Sequence, residues 1–299
     1  MEKLLLIYNP NSGTRKSARH LSDVAEVFTQ GGYLVTTLPT TKRGDATEYV
    51  ERFAKDYNFV VVMGGDGTYN EVISGFAKAD IKTPVGYIPA GSTNDFSQGL
   101  NLSKDIVTAA KDIVNGIPSG LDVGLFNGRV FTYVASFGAF TKASYDTPQS
   151  IKNLLGHMAY ILSGATTIPD IRPIHATIKT DDAVYEGDYL FGAISNSTSM
   201  GGILKLKPED VDMSDGLFEL LLLRTSDDLL EIGDLVRAVT EQKYDTTPML
   251  TFVGSSRFEI DIPEAVDWSL DGEYQKGVQH IVIENKHCAV NMIRNLKKR

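Results

Sequence analysis

Five apolar residues in a row, Phe59 to Met63 (FVVVM), run straight into Gly64-Gly65-Asp66-Gly67-Thr68-Tyr69-Asn70-Glu71. An uninterrupted apolar run of that length, bounded by glycine, reads as a strand covered on both faces, as in a parallel sheet. Val72, Ile73, Phe76 and Ala77 then recur at helical spacing. The glycines sit between a strand end and a helix start. Glycine permits positive φ and close backbone approach there, and the helix N-terminus behind it favours an anion such as phosphate.

The flanking sequence repeats the alternation. Residues 4–8 (LLLIY) form a buried strand ended by the turn Asn9-Pro10-Asn11-Ser12-Gly13. Leu21, Val24, Ala25 and Phe28 mark a helix, 33–38 a strand, Tyr49 to Tyr57 a helix and 85–88 (VGYI) a strand. Strand and helix in alternation predict an α/β domain with a parallel sheet. Near residue 121 the pattern changes. Residues 122–126, 129–137, 173–180, 183–195, 216–224, 249–253, 257–262 and 280–284 read as strands, with hairpin turns at Asn127-Gly128 and Asp181-Asp182. Helices are expected only near 147–164 and 226–241. The expected architecture is therefore an α/β domain with a parallel sheet, residues 1–120 plus 287–299, and an antiparallel β-sandwich domain, residues 121–286. The apolar stripe of 147–164 suits packing against the sandwich, or the lining of an apolar pocket or contact with a bilayer.

Net charge of -9 gives no basic face for nucleic acid. The first apolar run, Leu4 to Tyr8, is too short for a signal segment or a membrane helix, so a cytoplasmic protein is expected. The single cysteine, Cys288, excludes an intramolecular disulfide. His287 is its neighbour, and on a regular strand the two side chains point to opposite sides.

In a parallel sheet the loops after strands 4–8, 59–63 and 85–88 leave the same edge, where open α/β sheets bind ligands. The third loop is Pro89-Ala90-Gly91-Ser92-Thr93-Asn94-Asp95-Phe96. Neither GxxxxGK[ST] nor GxGxxG is present, so the nucleotide site belongs to another class. Asp66 is the carboxylate placed to hold a divalent cation near transferred phosphates, with Asp95 in support.

The order NPxSG, GGDGTxNE and G[ST]xNDF resembles that of the diacylglycerol kinase catalytic family. Residues 196–208 (NSTSMGGILKLKP), 215–219 (DGLFE) and Asp271-Gly272-Glu273 are similar to its later motifs, so the resemblance spans essentially the chain. It implies an ATP-dependent, Mg²⁺-requiring kinase that phosphorylates a lipid hydroxyl at a membrane surface, peripheral on the inner face. Diacylglycerol would give phosphatidic acid. It implies nucleotide contacts at Asn9, Pro10, Asn11, Ser12, Gly13, Thr40, Gly64, Gly65, Asp66, Gly67, Thr68, Tyr69, Asn70, Ser92, Asn94 and Asp95. Glu273 would be the general base, and Asp66 would share the catalytic role. A structural Mg²⁺ would lie at Asp215, completed by carbonyls near Asp212 and Leu217.

The chain departs from the Gram-positive members at three places. Thr14 and Ser163 stand where those members have lysine, and the stretch from Pro208 to Asp215 is one residue longer. Two other readings stay open at this stage: a kinase for another lipid alcohol, sphingoid or undecaprenol-like, and a non-catalytic nucleotide- or lipid-binding regulator. A homodimer is the default assembly.

Overall fold

In the computed structural model, Leu4 to Ile7 and Val60 to Met63 have no exposed surface. The strands they form, β1 (Glu2–Tyr8) and β3 (Phe59–Gly64), therefore lie at the centre of a parallel sheet. Described are residues 1–92, 94–138, 172–197, 199–200, 204–205, 211–226, 228–241, 243–244 and 246–295. The expected helix near 147–164 falls outside them. The chain divides into two units, Met1–Val123 with Lys286–Arg299, and Gly124–Asn285.

In the first unit β2 (Tyr33–Pro39) and β4 (Val85–Pro89) flank the central pair, giving the order β2-β1-β3-β4, all parallel. The chain moves from β1 out to β2 and then back past β1 to β3. The point between β1 and β3 is therefore a topological switch, where loops leave to opposite faces. Side chains alternate across the sheet. Leu4, Leu6, Val61, Met63 and Ile88 share a core with Val24, Phe28, Ala109 and Ile113. These helical residues come from α2 (Leu21–Gln30) and, later in the chain, Ile106–Val114. Full burial of each such side chain contributes roughly 1.5–3 kcal/mol.

Ahead of α2 runs a short helix, α1 (Ser12–Arg19), between the turn at Asn9–Gly13 and the helix expected from Leu21, Val24, Ala25 and Phe28. Its sequence, SGTRKSAR, carries no apolar stripe, so periodicity is silent there. The other helices of the unit are α3 (Asp45–Phe53), α4 (Asp66–Ala79), α5 (Asp95–Gly99) and α6 (Ile106–Val114). Helices α3 and α4 pack against each other, with Gly75 closely facing Val50.

The second unit is antiparallel. Strand β5 (Ile117–Phe126), whose residues up to Val123 belong to the first unit, turns through Asn127-Gly128, both at positive φ, into β6 (Arg129–Phe131). Then come β7 (Val134–Gly138), β8 (Ile174–Lys179) and β9 (Val184–Ser195), with Asp181-Asp182 in the turn between the last two. Strands β10 (Ser199–Met200) and β11 (Leu204–Lys205) form a separate small hairpin. Strands β12 (Phe218–Arg224), β13 (Leu250–Ser255) and β14 (Arg257–Asp261) follow, with α7 (Leu229–Glu241) inserted after β12.

Strand β9 changes partners along its length. Its first half pairs with β8 and its second half lies between β7 and β12. Two strands of three residues each, too short for a periodicity to register, β15 (Trp268–Leu270) and β16 (Glu273–Gln275), complete that edge beyond β7. The core within holds Phe126, Phe137, Tyr189, Phe218, Phe258 and Trp268. The last strand is β17 (His280–Arg294). Its residues 280–284 pair with β14, and Met292 pairs with Val85 of β4.

Candidate active site

The loops after β1, β3 and β4 meet at the carboxyl edge of the first unit. Asn9 organises the first of them. Its Oδ1 accepts the Asn11 amide at 2.9 Å, and its Nδ2 donates to Thr68 Oγ1 at 3.4 Å. Its backbone carbonyl accepts the Ser12 amide, which starts α1. Thr40 is buried beside this loop, its amide donating to the Tyr8 carbonyl at 2.8 Å. The loops cross with no room for side chains. A Cβ built on Gly13, which has φ +51°, would lie 2.2 Å from the Ala90 carbonyl oxygen, and one on Gly91 would lie 2.6 Å from Gly65 Cα. Real Cβ contacts do not come that close, so these crossings require glycine.

Helix α4 begins at Asp66, so its first amides open toward the same edge. Asp66 Oδ2 accepts the Asp95 amide at 3.0 Å, which ties the second loop to the third. Burial pushes the Asp95 carboxyl above its ordinary pKa. Burial also raises the Tyr87 phenol, with the Asp66 charge adding to it. Carboxylates such as those of Asp66 and Asp95 are hard oxygen donors of the kind divalent cations take.

Several residues expected at the ligand have other surroundings. Tyr69 is fully buried, its ring 4.5 Å from that of Tyr87 and 4.6 Å from that of Phe96. It packs the core, because the fourth residue of α4 turns inward. Asn94, at φ 53°, gives both ends of its side-chain amide to Gly91: Oδ1 accepts the Gly91 amide and Nδ2 donates to the Gly91 carbonyl. It holds the third loop in shape. Gly64 belongs to β3, and its carbonyl accepts the Ala90 amide at 2.7 Å. Ser92 and Gly67 are exposed on the edge.

Glu71 has a part that the linear sequence did not reveal. It accepts the amides of Gly44 and Ala46, while its carbonyl accepts the Thr47 hydroxyl. It thereby caps α3 and fastens the loop after Thr40 to α4. Asp45 Oδ2 accepts the Thr41 amide, the Thr41 hydroxyl and the Lys42 amide. The Thr41 bonds in particular hold this carboxyl below its ordinary pKa.

In the second unit the Asp271-Gly272-Glu273 turn joins β15 to β16. Asp271, at φ 52°, accepts the amide and hydroxyl of Thr132 on Oδ2 and the amides of Tyr133 and Val134 on Oδ1. Burial raises its pKa, and these bonds oppose the rise. Its role is to hold the turn that presents Glu273. Arg129, not anticipated from the sequence, donates to Glu273 Oε2 at 3.0 Å and to Gln275 Oε1 at 2.7 Å. Glu273 and Arg129 are both partly exposed, so the pair fixes orientation more than it adds stability.

The Asp212–Leu217 stretch is a pair of tight side-chain turns. Asp212 Oδ1 accepts the amide and hydroxyl of Ser214, and Asp215 Oδ1 accepts the Leu217 amide at 2.8 Å. The Asp212 carbonyl, expected to face a cation, accepts the Asp215 amide. Asp212 and Asp215 are both exposed. No helix among the described residues is long and apolar enough to cross a membrane.

Known proteins resemble this chain. Residues 3–126 match the family model of the diacylglycerol kinase catalytic domain. Over 279 residues the chain is 33% identical to a diacylglycerol kinase of Bacillus subtilis (strain 168), covering 92% of this chain and 90% of that one. A diacylglycerol kinase of Staphylococcus epidermidis (strain ATCC 12228 / FDA PCI 1200) is 32% identical over 270 residues, 90% and 85% of the two chains. A crystal structure of a diacylglycerol kinase from Bacillus anthracis str. Sterne superposes with a TM-score of 0.74 at 25% identity, over 99% of this chain and 98% of that one. The match over nine-tenths of both chains, together with the Asp66 loop and the Asp271-Gly272-Glu273 turn, shows that the chain belongs to the diacylglycerol kinase catalytic family and is a lipid kinase.

Proposed function

We propose that the enzyme transfers the γ-phosphate of ATP to the free hydroxyl of diacylglycerol, giving phosphatidic acid. The observation that carries this reading is the joining of Asp66 to Asp95 beneath three glycine-containing loops at one sheet edge. In this reading the amides opening α4 neutralise phosphate charge. Asp66 and Asp95 hold a divalent cation, Mg²⁺ in this proposal, which supplies further neutralisation at the phosphates. The acceptor hydroxyl passes its proton to Glu273 as its oxygen attacks the γ-phosphorus. The bond from the γ-phosphorus to the bridging oxygen breaks and ADP leaves. Arg129 keeps the Glu273 carboxylate turned to one side. A second, structural cation is assigned to Asp215. The chain acts from the water side of the membrane, at the cytoplasmic face.

Labelled ATP with vesicles containing diacylglycerol, a sphingoid base or a polyprenol tests this. The expected product is phosphatidic acid. Glu273→Gln should lower kcat by about 10²–10⁴-fold, the usual contribution of a general base, with ATP affinity unchanged in calorimetry. Equal turnover by Glu273→Gln places the base elsewhere. Transfer to a sphingoid base or polyprenol alone refutes the acceptor.

A further inference from the structure

The strand β17 does not run regularly through His287 and Cys288. Cys288 sits at φ 45°, in the left-handed region, where a residue with a side chain is strained. The twist cancels the alternation expected of neighbouring strand residues and brings both side chains to the same side. His287 Nδ1 lies 3.1 Å from Asp122 Oδ1, and His287 Nε2 lies 3.6 Å from Cys288 Sγ. The Cys288 amide donates to the same Asp122 oxygen at 2.7 Å. Asp122 is fully buried, whereas His287 is largely exposed and Cys288 half-buried. Opposite the sulfur stands Gly120, where a Cβ would come within 2.4 Å of Sγ.

An ionised carboxylate only accepts, so Asp122 fixes the proton of the imidazole on Nδ1 and leaves Nε2 to accept from the thiol. Nucleophile, base and orienting acid thus stand in the order that activates a nucleophile. Asp122 Oδ1 already serves both His287 and the Cys288 amide. The donor atoms of the three residues lie within 4.8 Å of one another, and the two bonds to Asp122 Oδ1 order them as a relay. We propose that Cys288 is an activated thiol, a covalent modification site for small carbon electrophiles. His287 is the proton acceptor and Asp122 the positioning residue. The Sγ proton passes to Nε2, the sulfur pair forms the S–C bond, the leaving group departs with its own pair, and the imidazolium releases the proton to water. The assignment is independent of the kinase site.

Iodoacetamide is the probe, in EDTA-containing buffer at pH 7, with the adduct counted by mass spectrometry. Cys288 is the sole cysteine, so every thiol adduct is assigned to it, with peptide mapping to set aside alkylation elsewhere. An ordinary thiol of pKa about 8.5 is only about 3% thiolate at pH 7, so activation can raise the rate about 10- to 30-fold. The full chain should react about tenfold faster than N-acetylcysteine amide. His287→Gln, at an exposed position, should lose most of that gain while its circular dichroism is unchanged. Asp122→Asn, where folding permits, should lose part of it. A wild-type rate no higher than that of the model thiol overturns the proposal, as does an undiminished rate in His287→Gln.

Discussion

Replacing Asp271 by alanine tests how the second unit presents Glu273. The carboxylate accepts three backbone amides and one hydroxyl, from Thr132, Tyr133 and Val134. Those residues are 2%, 4% and 8% exposed, so the amides have little water to turn to. Each buried donor left without an acceptor costs about 1–3 kcal/mol. Three would cost roughly 3–9 kcal/mol by that figure. Part is offset, because the variant no longer buries a carboxylate whose pKa burial has raised. The net expectation is about 3–5 kcal/mol, as when one partner of a buried charged group is removed. The sole tryptophan, Trp268, is fully buried in this unit, three residues before Asp271, so its fluorescence follows this unit's unfolding. At a urea m-value of about 2 kcal/mol/M, a loss of about 4 kcal/mol lowers the midpoint by about 2 M. Asp271→Asn should lose about half as much, since its amide oxygen can serve only one pair of donors. The sign with pH follows from the raised pKa. The group's contribution is fully present below the unfolded aspartate value and declines as pH rises through the folded value, so the deficit of the alanine variant should grow as pH falls. A midpoint within about 0.5 M of wild type would show that these bonds do not hold the turn.

Three further outcomes are expected. Gly91→Ala puts a methyl group 2.6 Å from Gly65 Cα and 2.7 Å from Asn94 Oδ1; misplacement by about 1 Å can cost about 10²-fold in kcat, and wild-type kinetics would show that the crossing tolerates it. Asp45 has a lowered pKa, so its stabilisation is present above the unfolded aspartate value and lost as pH falls through the folded one; amide exchange of α3 should show that acid-limb loss in wild type and not in Asp45→Asn, and identical acid limbs would refute it. Asp105 caps α6 through Thr108, at 2.8 Å to the amide and 2.7 Å to the hydroxyl; Asp105→Ala should lower protection of the α6 amides by about 1 kcal/mol, and unaltered exchange would deny the cap that role.

What the sequence determined by itself was whatever rests on local pattern. The all-apolar runs at residues 4–8 and 59–63 could be satisfied only between two layers, and that dictated a parallel sheet. The spacing of turns and alternating runs after residue 121 dictated antiparallel strands, and the ordered motifs indicated the family. Tertiary structure alone decided which residues meet across long separations. Arg129 reaches Glu273 from 144 positions away, and Glu71 reaches Gly44 across 27. No periodicity records such pairings. Tyr69 stands among loop residues in the sequence, yet the pitch of α4 turns it into the core. His287 and Cys288 look opposed on a strand, and only the left-handed turn at Cys288 brings them together over Asp122. A backbone that leaves its regular conformation at one residue redirects side chains without altering the local sequence pattern, so such a site becomes visible only when the chain is folded.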